Sequence, residues 1–231
     1  MNQLEHKHLR AIRWFHWINF PLLFMMIWSG MLIYWANRAY RIGFGSFTLW
    51  KFFPDWLYNF VGMDHRLAEG MAWHFFFMWF FALNGVLYVV YTSISGEWRY
   101  LVPDRRSFRE AIQVTMYDLG LSKTHPPRRK FNGAQQIAYT SIILMGAASL
   151  LTGLAIYKPV QFGWLTTALG GYPAARLEHF LLTIGYVLFF VVHIAQVARA
   201  GWNNFRSMVT GYEVTPVEEV SHESPDTAAA G

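Results

Sequence analysis

Four stretches of the chain, 14–37, 70–96, 131–157 and 180–198, contain no Asp, Glu, Lys or Arg. Each reaches the roughly 20 residues that a helix needs to cross the hydrocarbon core of a bilayer. Inside that core every backbone N–H and C=O has to be satisfied within the protein, and four segments of this length are too few and too long for a barrel. The pattern predicts an all-α membrane protein, a four-helix transmembrane bundle with spans at about 14–37, 70–96, 131–157 and 177–198. These spans and their connections make one domain, 1–212. From 213 the sequence turns to EVTPVEEVSHESPDTAAAG, acidic, small and Pro-containing, which predicts a disordered tail over 213–231.

Two connections carry patterns of their own. The first, around FGSFTLWKFFPDWLYNFVGM, is aromatic and apolar but interrupted by Gly45 and Pro54, so it predicts a short interfacial segment and a candidate docking surface for an outer protein. The second holds DRRSFREAIQVTMYDLGL, an amphipathic stretch suited to lying on the membrane surface. Tyr34, Trp35, Trp98, Tyr100, Tyr157, Trp164 and Trp202 fall near span ends, where amphipathic rings prefer the headgroup zone. The first span is too long for a signal peptide and lacks a convincing small-residue cleavage site, so it is read as retained.

Charge adds the orientation. The amino tail, second connection and carboxyl tail hold 3, 8 and 2 Lys and Arg, 13 of the 19, against 6 in the other two connections. The excess of positive charge places both termini in the cytoplasm of a bacterial inner membrane. The net charge of +5 is then a matter of topology and does not argue for nucleic acid. There is no cysteine, which excludes disulfides, cysteine-ligated iron–sulfur clusters and covalent haem attachment.

The histidines carry the chemistry. His179 and His193 stand 14 residues apart in the fourth span. At about 100° and 1.5 Å per residue they share a helix face within about 40° and lie about 21 Å apart along it. Polar groups at such depth are costly unless they have a task. Span one enters from inside with His16 and span two from outside with His74, so the four sort by depth into an outer pair, His74 with His179, and an inner pair, His16 with His193. Two imidazoles facing each other across a bundle supply both axial positions of a haem iron, so two pairs imply two stacked haems held between the helices. Gly30 lies 14 residues after His16 and Gly85 11 after His74, close to the same helix faces, where each leaves room for the opposite haem; close helix packing uses glycine equally. His65, in DHR at the water boundary, is nine residues from His74 and on the opposite face; His6, His8, His125 and His222 lie in polar tails or loops.

These residues resemble a known family, the di-haem cytochrome b subunits of formate dehydrogenases (gamma subunit), nickel–iron hydrogenases and thiosulfate reductases. The resemblance covers about 9–211 and is carried by RWFHW opening span one, WHFFFMWFFALNGVLYV in span two, KFNGAQQIAYT opening span three, the paired histidines of span four, and GWNNFRSMVTG. The last of these is most similar to the thiosulfate reductase-like members, some of which accompany molybdenum oxidoreductases. The resemblance implies two haem b, ligated by His74 with His179 and His16 with His193. It implies a quinone site near the inner haem at Asn132, Gln135 and Gln136, of which Gln136 departs from the basic residue of several relatives; termination or packing of the third helix uses such amides as well. Arg10 and Arg13 flank the inner haem in this arrangement, where they suit its propionates; snorkelling to the interface explains them equally.

The reading that follows is a cytochrome b561-like subunit passing electrons between an extracytoplasmic redox subunit, molybdenum-type by resemblance, and the membrane quinone pool. The chain shows no nucleotide loop, pterin-type site or catalytic triad, so any substrate chemistry belongs to the partner. Two alternatives stand beside it: a quinol-linked haem oxidoreductase without a partner, and a histidine-based ion transporter, which calls for carboxylates where only Glu69 and Glu178 approach the spans.

Overall fold

The computed structural model describes residues 2–37, 39–44, 46–123 and 131–216. Most of the expected tail, 217–231, lies outside these residues, as do His125 and His222. In chain order the elements are β1 (Asn2–His6), α1 (Arg10–Trp35), β2 (Arg41–Phe44), β3 (Phe47–Lys51), α2 (Asp55–Val61), α3 (Leu67–Ser95), α4 (Trp98–Leu101), α5 (Arg105–Asp118), α6 (Gly133–Tyr157), α7 (Gly163–Ala168), α8 (Tyr172–Thr210) and β4 (Tyr212–Pro216). Among the described residues α1, α3, α6 and α8 are long and apolar enough to cross a membrane. Protein buries only 6–22% of their apolar windows, so most of their side chains need an apolar solvent. The chain folds as two compact units, residues 15–191 and the combination of 1–14 with 192–231.

Within residues 15–191 the helices meet on small and hydroxyl side chains. The buried positions of α3 are Gly70, Asn84 and Thr92, and those of α6 are Gly133, Thr152 and Ala155. In lipid there is no water to squeeze out between helices, so close backbone approach takes over as the driving force. Gly70 is the tightest such contact between α1 and α3: a Cβ there would stand 2.6 Å from Leu32 Cβ and 3.0 Å from the Ser29 carbonyl oxygen. Pro21 inside α1 forfeits one helical hydrogen bond. Gly96, in the left-handed region at φ 76°, stops α3 where a side chain would be strained.

The connection between α1 and α3 folds into a small hairpin, β2 with β3, followed by α2. The expected interfacial segment is therefore partly strand. Its aromatic residues pack inward where they meet helix ends: Tyr58 is buried and donates from its hydroxyl to the Met31 carbonyl at 2.9 Å. The amphipathic stretch forms α5, capped by Asp104, whose carboxylate accepts from the Arg106 and Ser107 backbone N–H groups. Ser107, Glu110 and Val114 face inward, and Gly133 lets α6 touch the Ser107 backbone.

In the second unit β1 pairs antiparallel with β4, from Asn2 opposite Pro216 to His6 opposite Tyr212. This differs from the disordered tail expected from 213. The acidic, small composition of 213–216 conceals a strand because its partners come from elsewhere. The Asn203 side chain makes two hydrogen bonds with the Val214 backbone, and Lys7 bridges Asn204 and Glu213. The helix before it breaks at Gly201, at φ 81°.

Filling the α1–α3 contact should be costly, because overpacking a close helix contact typically loses about 1–3 kcal/mol. We expect Gly70→Val to lower the thermal midpoint of the detergent-purified protein, whereas Gly163→Ala, where a Cβ meets nothing, should leave it unchanged.

Candidate functional site

The site grows from two histidines, each one to two turns into its helix. His74 on α3 and His179 on α8 bring their ring centroids to 6.2 Å, with planes at 73°. Each ring is anchored through Nδ1. The His74 Nδ1 lies 3.0 Å from Ser29 Oγ on α1, and that hydroxyl donates to the Met25 carbonyl at 2.6 Å. The His179 Nδ1 lies 2.8 Å from Thr152 Oγ1 on α6, which donates to the Ala148 carbonyl at 2.8 Å. Each hydroxyl oxygen lies between a helix carbonyl and Nδ1, an arrangement that suits the tautomer in which Nδ1 carries hydrogen and Nε2 keeps the lone pair.

These residues fit a haem iron. Two metal–imidazole bonds of about 2 Å, each with roughly 1 Å more from nitrogen to ring centre, separate two axial rings by about 6 Å. The observed 6.2 Å between ring centroids is compatible with that separation, and contacts at Nδ1 leave Nε2 of each ring for a metal. Axial histidines ordinarily donate their other N–H in this way.

An aromatic roof closes this end of the unit. Phe180, next to His179, stacks on Tyr34 at 4.8 Å and lies 4.7 Å from Tyr40, with Phe52 and Phe53 edge-on. Tyr34, Tyr58 and Phe180 are its buried core. Burial pushes the Tyr40 phenol above its ordinary value, against the pull of Arg176. Outside the roof the hairpin and α2 present Phe44, Phe47, Trp50, Trp56 and Phe60 to the surroundings, Phe44 at 87% exposure.

Of the other candidates from the sequence, Gly30 lies against His74, where a Cβ would touch Cε1 at 3.5 Å, and Gly85 borders open space. The His16 ring sits edge-on to Trp17, and the buried Asn84 amide donates to the neighbouring Phe15 carbonyl at 3.4 Å. His193 is half-buried and belongs to the unit formed by 1–14 and 192–231. Arg13 is in that unit too, donating to the Thr210 carbonyl at 2.8 Å.

The three amides of the quinone expectation have structural bonds. Asn132 and Gln135 form a reciprocal capping box at the start of α6 that uses both side-chain oxygens. Gln136 is engaged at both ends, accepting from Ser107 Oγ at 2.6 Å and donating to the Tyr100 carbonyl at 3.1 Å.

Sequence reasoning missed Ser29, Thr152, Gly153 and Arg206. The signal for the first three was present as WSGM and LTGL, a hydroxyl directly before a glycine in a charge-free span. Arg206 shares with Arg13 a buried Nε that has no hydrogen-bond partner among the described residues, a pattern that needs coordinates.

Comparison with known proteins gives two findings. The family model described as prokaryotic cytochrome b561 matches residues 7–211. A protein of Azospira oryzae (strain ATCC BAA-33 / DSM 13638 / PS), which carries the provisional name protein-methionine-sulfoxide reductase subunit YedZ1, is 31% identical over 192 residues, 83% of this chain and 89% of that protein.

Truncating the roof tests its weight. Phe→Ala at a buried position costs about 3 kcal/mol or more, so we expect Phe180→Ala to lower the thermal midpoint clearly and exposed Trp56→Ala to leave it near wild type.

Proposed function

This chain belongs to the prokaryotic cytochrome b561 family, and on that footing we propose that it links an extracytoplasmic oxidoreductase to the membrane quinone pool through two haem b. The observation that carries the proposal is the His74–His179 pair, whose rings stand 6.2 Å apart with both Nδ1 atoms at hydrogen-bond distance from a hydroxyl and which would hold a haem iron. Haem b, when bound, supplies a one-electron carrier, and the family implies that cofactor.

His74 and His179 hold the outer group. Ser29 and Thr152 face their Nδ1 atoms, and the Phe180–Tyr34–Tyr40 roof keeps water from that end. His16 and His193 hold the inner group; the 14-residue spacing that brings His193 to the His179 face supports this second pair. Gly30 leaves room beside the His74 ring, and Gly85 opens onto free space. Arg13 and Arg206, each with a buried Nε lacking a partner among the described residues, suit propionate carboxylates. At the start of α6 the capping box consumes the oxygens of Asn132 and Gln135, and their NH₂ groups suit a quinone carbonyl. Gln136 instead pins α6 to α4 and α5.

The termini are cytoplasmic in this reading, on the 13-to-6 division of positive charge, and the membrane is the bacterial inner membrane. The exposed aromatic hairpin and α2, beside the outer pair, are then the docking face for the redox partner. The name of the Azospira relative points to a sulfoxide-reducing partner, and the resemblance to thiosulfate reductase-like members points to a molybdenum-type one.

The test is haem per chain by pyridine haemochrome with a reduced-minus-oxidised spectrum. We expect two b haems. His74→Ala and His179→Ala should each remove the same one, and the double variant no more. Retention of both haems in either single variant would refute the ligand assignment.

A further inference from the structure

His74 and His179 are held by one device built twice, on different helix pairs. In the first, Ser29 Oγ on α1 donates to the carbonyl of Met25, four residues back, and faces the ring of a histidine on α3. In the second, Thr152 Oγ1 on α6 donates to the carbonyl of Ala148, also four residues back, and faces the ring of a histidine on α8. A glycine follows each hydroxyl, Gly30 and Gly153, and at both a Cβ would stand 3.5 Å from the imidazole Cε1. Hydroxyl, carbonyl, imidazole and glycine recur in the same order and at nearly the same distances.

A hydroxyl bond to the carbonyl one turn back is by itself the ordinary way to satisfy Ser or Thr in an apolar helix. Thr92 does this with the Tyr88 carbonyl at 2.9 Å. What distinguishes Ser29 and Thr152 is the imidazole nitrogen on the far side of the oxygen. The hydroxyl has one proton and directs it backwards, so toward the ring it acts as acceptor. That fixes the ring tautomer and the ring's rotation, and it tunes how strongly Nε2 donates. An acceptor on Nδ1–H raises ligand basicity and favours the ferric state. A neutral hydroxyl does so less than the carboxylate found behind many metal-bound histidines.

We propose that Ser29 and Thr152 are matched positioning residues for the two ligands of one haem, setting its reduction potential from opposite sides. The proposal rests on the reading of His74 and His179 as that haem's ligands. Because the two devices act on one iron, loss of either should move the same midpoint in the same direction.

The experiment uses the full chain, purified with haem, in five variants: Ser29→Ala, Thr152→Val, the conservative Ser29→Thr and Thr152→Ser, and Thr92→Val as a control. The readouts are haem occupancy, optical redox titration and the low-spin ferric EPR spectrum. Ser29→Ala and Thr152→Val are expected to raise the midpoint of the same haem and shift its EPR signal. They should also weaken its retention on washing, by about the 10- to 100-fold in affinity usual for loss of such a partner. Ser29→Thr, Thr152→Ser and Thr92→Val are expected to behave as wild type. Wild-type midpoints and EPR spectra in both hydroxyl-deleted variants overturn the proposal. So does a loss of haem that the hydroxyl-retaining variants share, because the oxygen is then not the cause. Failure of the ligand reading is separable: it shows as retention of both haems in His74→Ala, which the hydroxyl variants cannot mimic.

Discussion

An imidazole buried among apolar helices has to have its N–H met by the protein, because lipid offers nothing in exchange. That constraint organises the unit of residues 15–191. To meet His74, Ser29 must lie one helix away at hydrogen-bond distance, which requires α1 and α3 to approach closely, which in turn requires Gly70. To meet His179, Thr152 must sit on α6 opposite α8, where Ala155 and Ala175 are small enough to pack fully buried. Helix spacing, small-residue contacts and ring orientation are one problem with one solution.

The solution divides labour between helices. In each half one helix brings a histidine and its neighbour brings a hydroxyl followed by glycine. The aromatic roof is built from what lies beyond the helix ends and adds rigid, low-entropy surface over the pair. Close packing of the helices rests on small and polar side chains, Gly70, Asn84 and Thr92 on α3 and Gly133, Thr152 and Ala155 on α6, while large aromatic side chains gather in the roof.

The bundle was legible in the sequence because absence of charge over about 20 residues is a strong signal. The meeting of His74 with His179 was legible from depth alone, since opposite directions of successive spans fix which residues share a level. Ser29 and Thr152 escaped because hydroxyls are tolerated in any apolar helix and signify something only when a partner is seen. The hairpin Arg41–Phe44 with Phe47–Lys51 escaped because aromatic, apolar loops suit an interfacial segment as well as a strand. Tyr212–Pro216 escaped because its strand depends on Asn203 and on residues 2–6, some two hundred positions earlier. His16 and His193, paired by level, fall in different compact units of the chain.

The pairing of Asn2–His6 with Tyr212–Pro216 has a consequence in time. Residues 2–6 leave the ribosome some two hundred residues ahead of their strand partner. Until that partner emerges, the edge of 2–6 that Tyr212–Pro216 will cover is unsatisfied, and an unpaired edge is open to other chains and to proteases. Loop closure over this separation adds only slowly with length, so the sheet forms once its second strand exists. Closure of this small sheet therefore marks a chain that has been made through residue 216, and a chain stopped short of it keeps an open strand edge by which proteolysis can tell it apart.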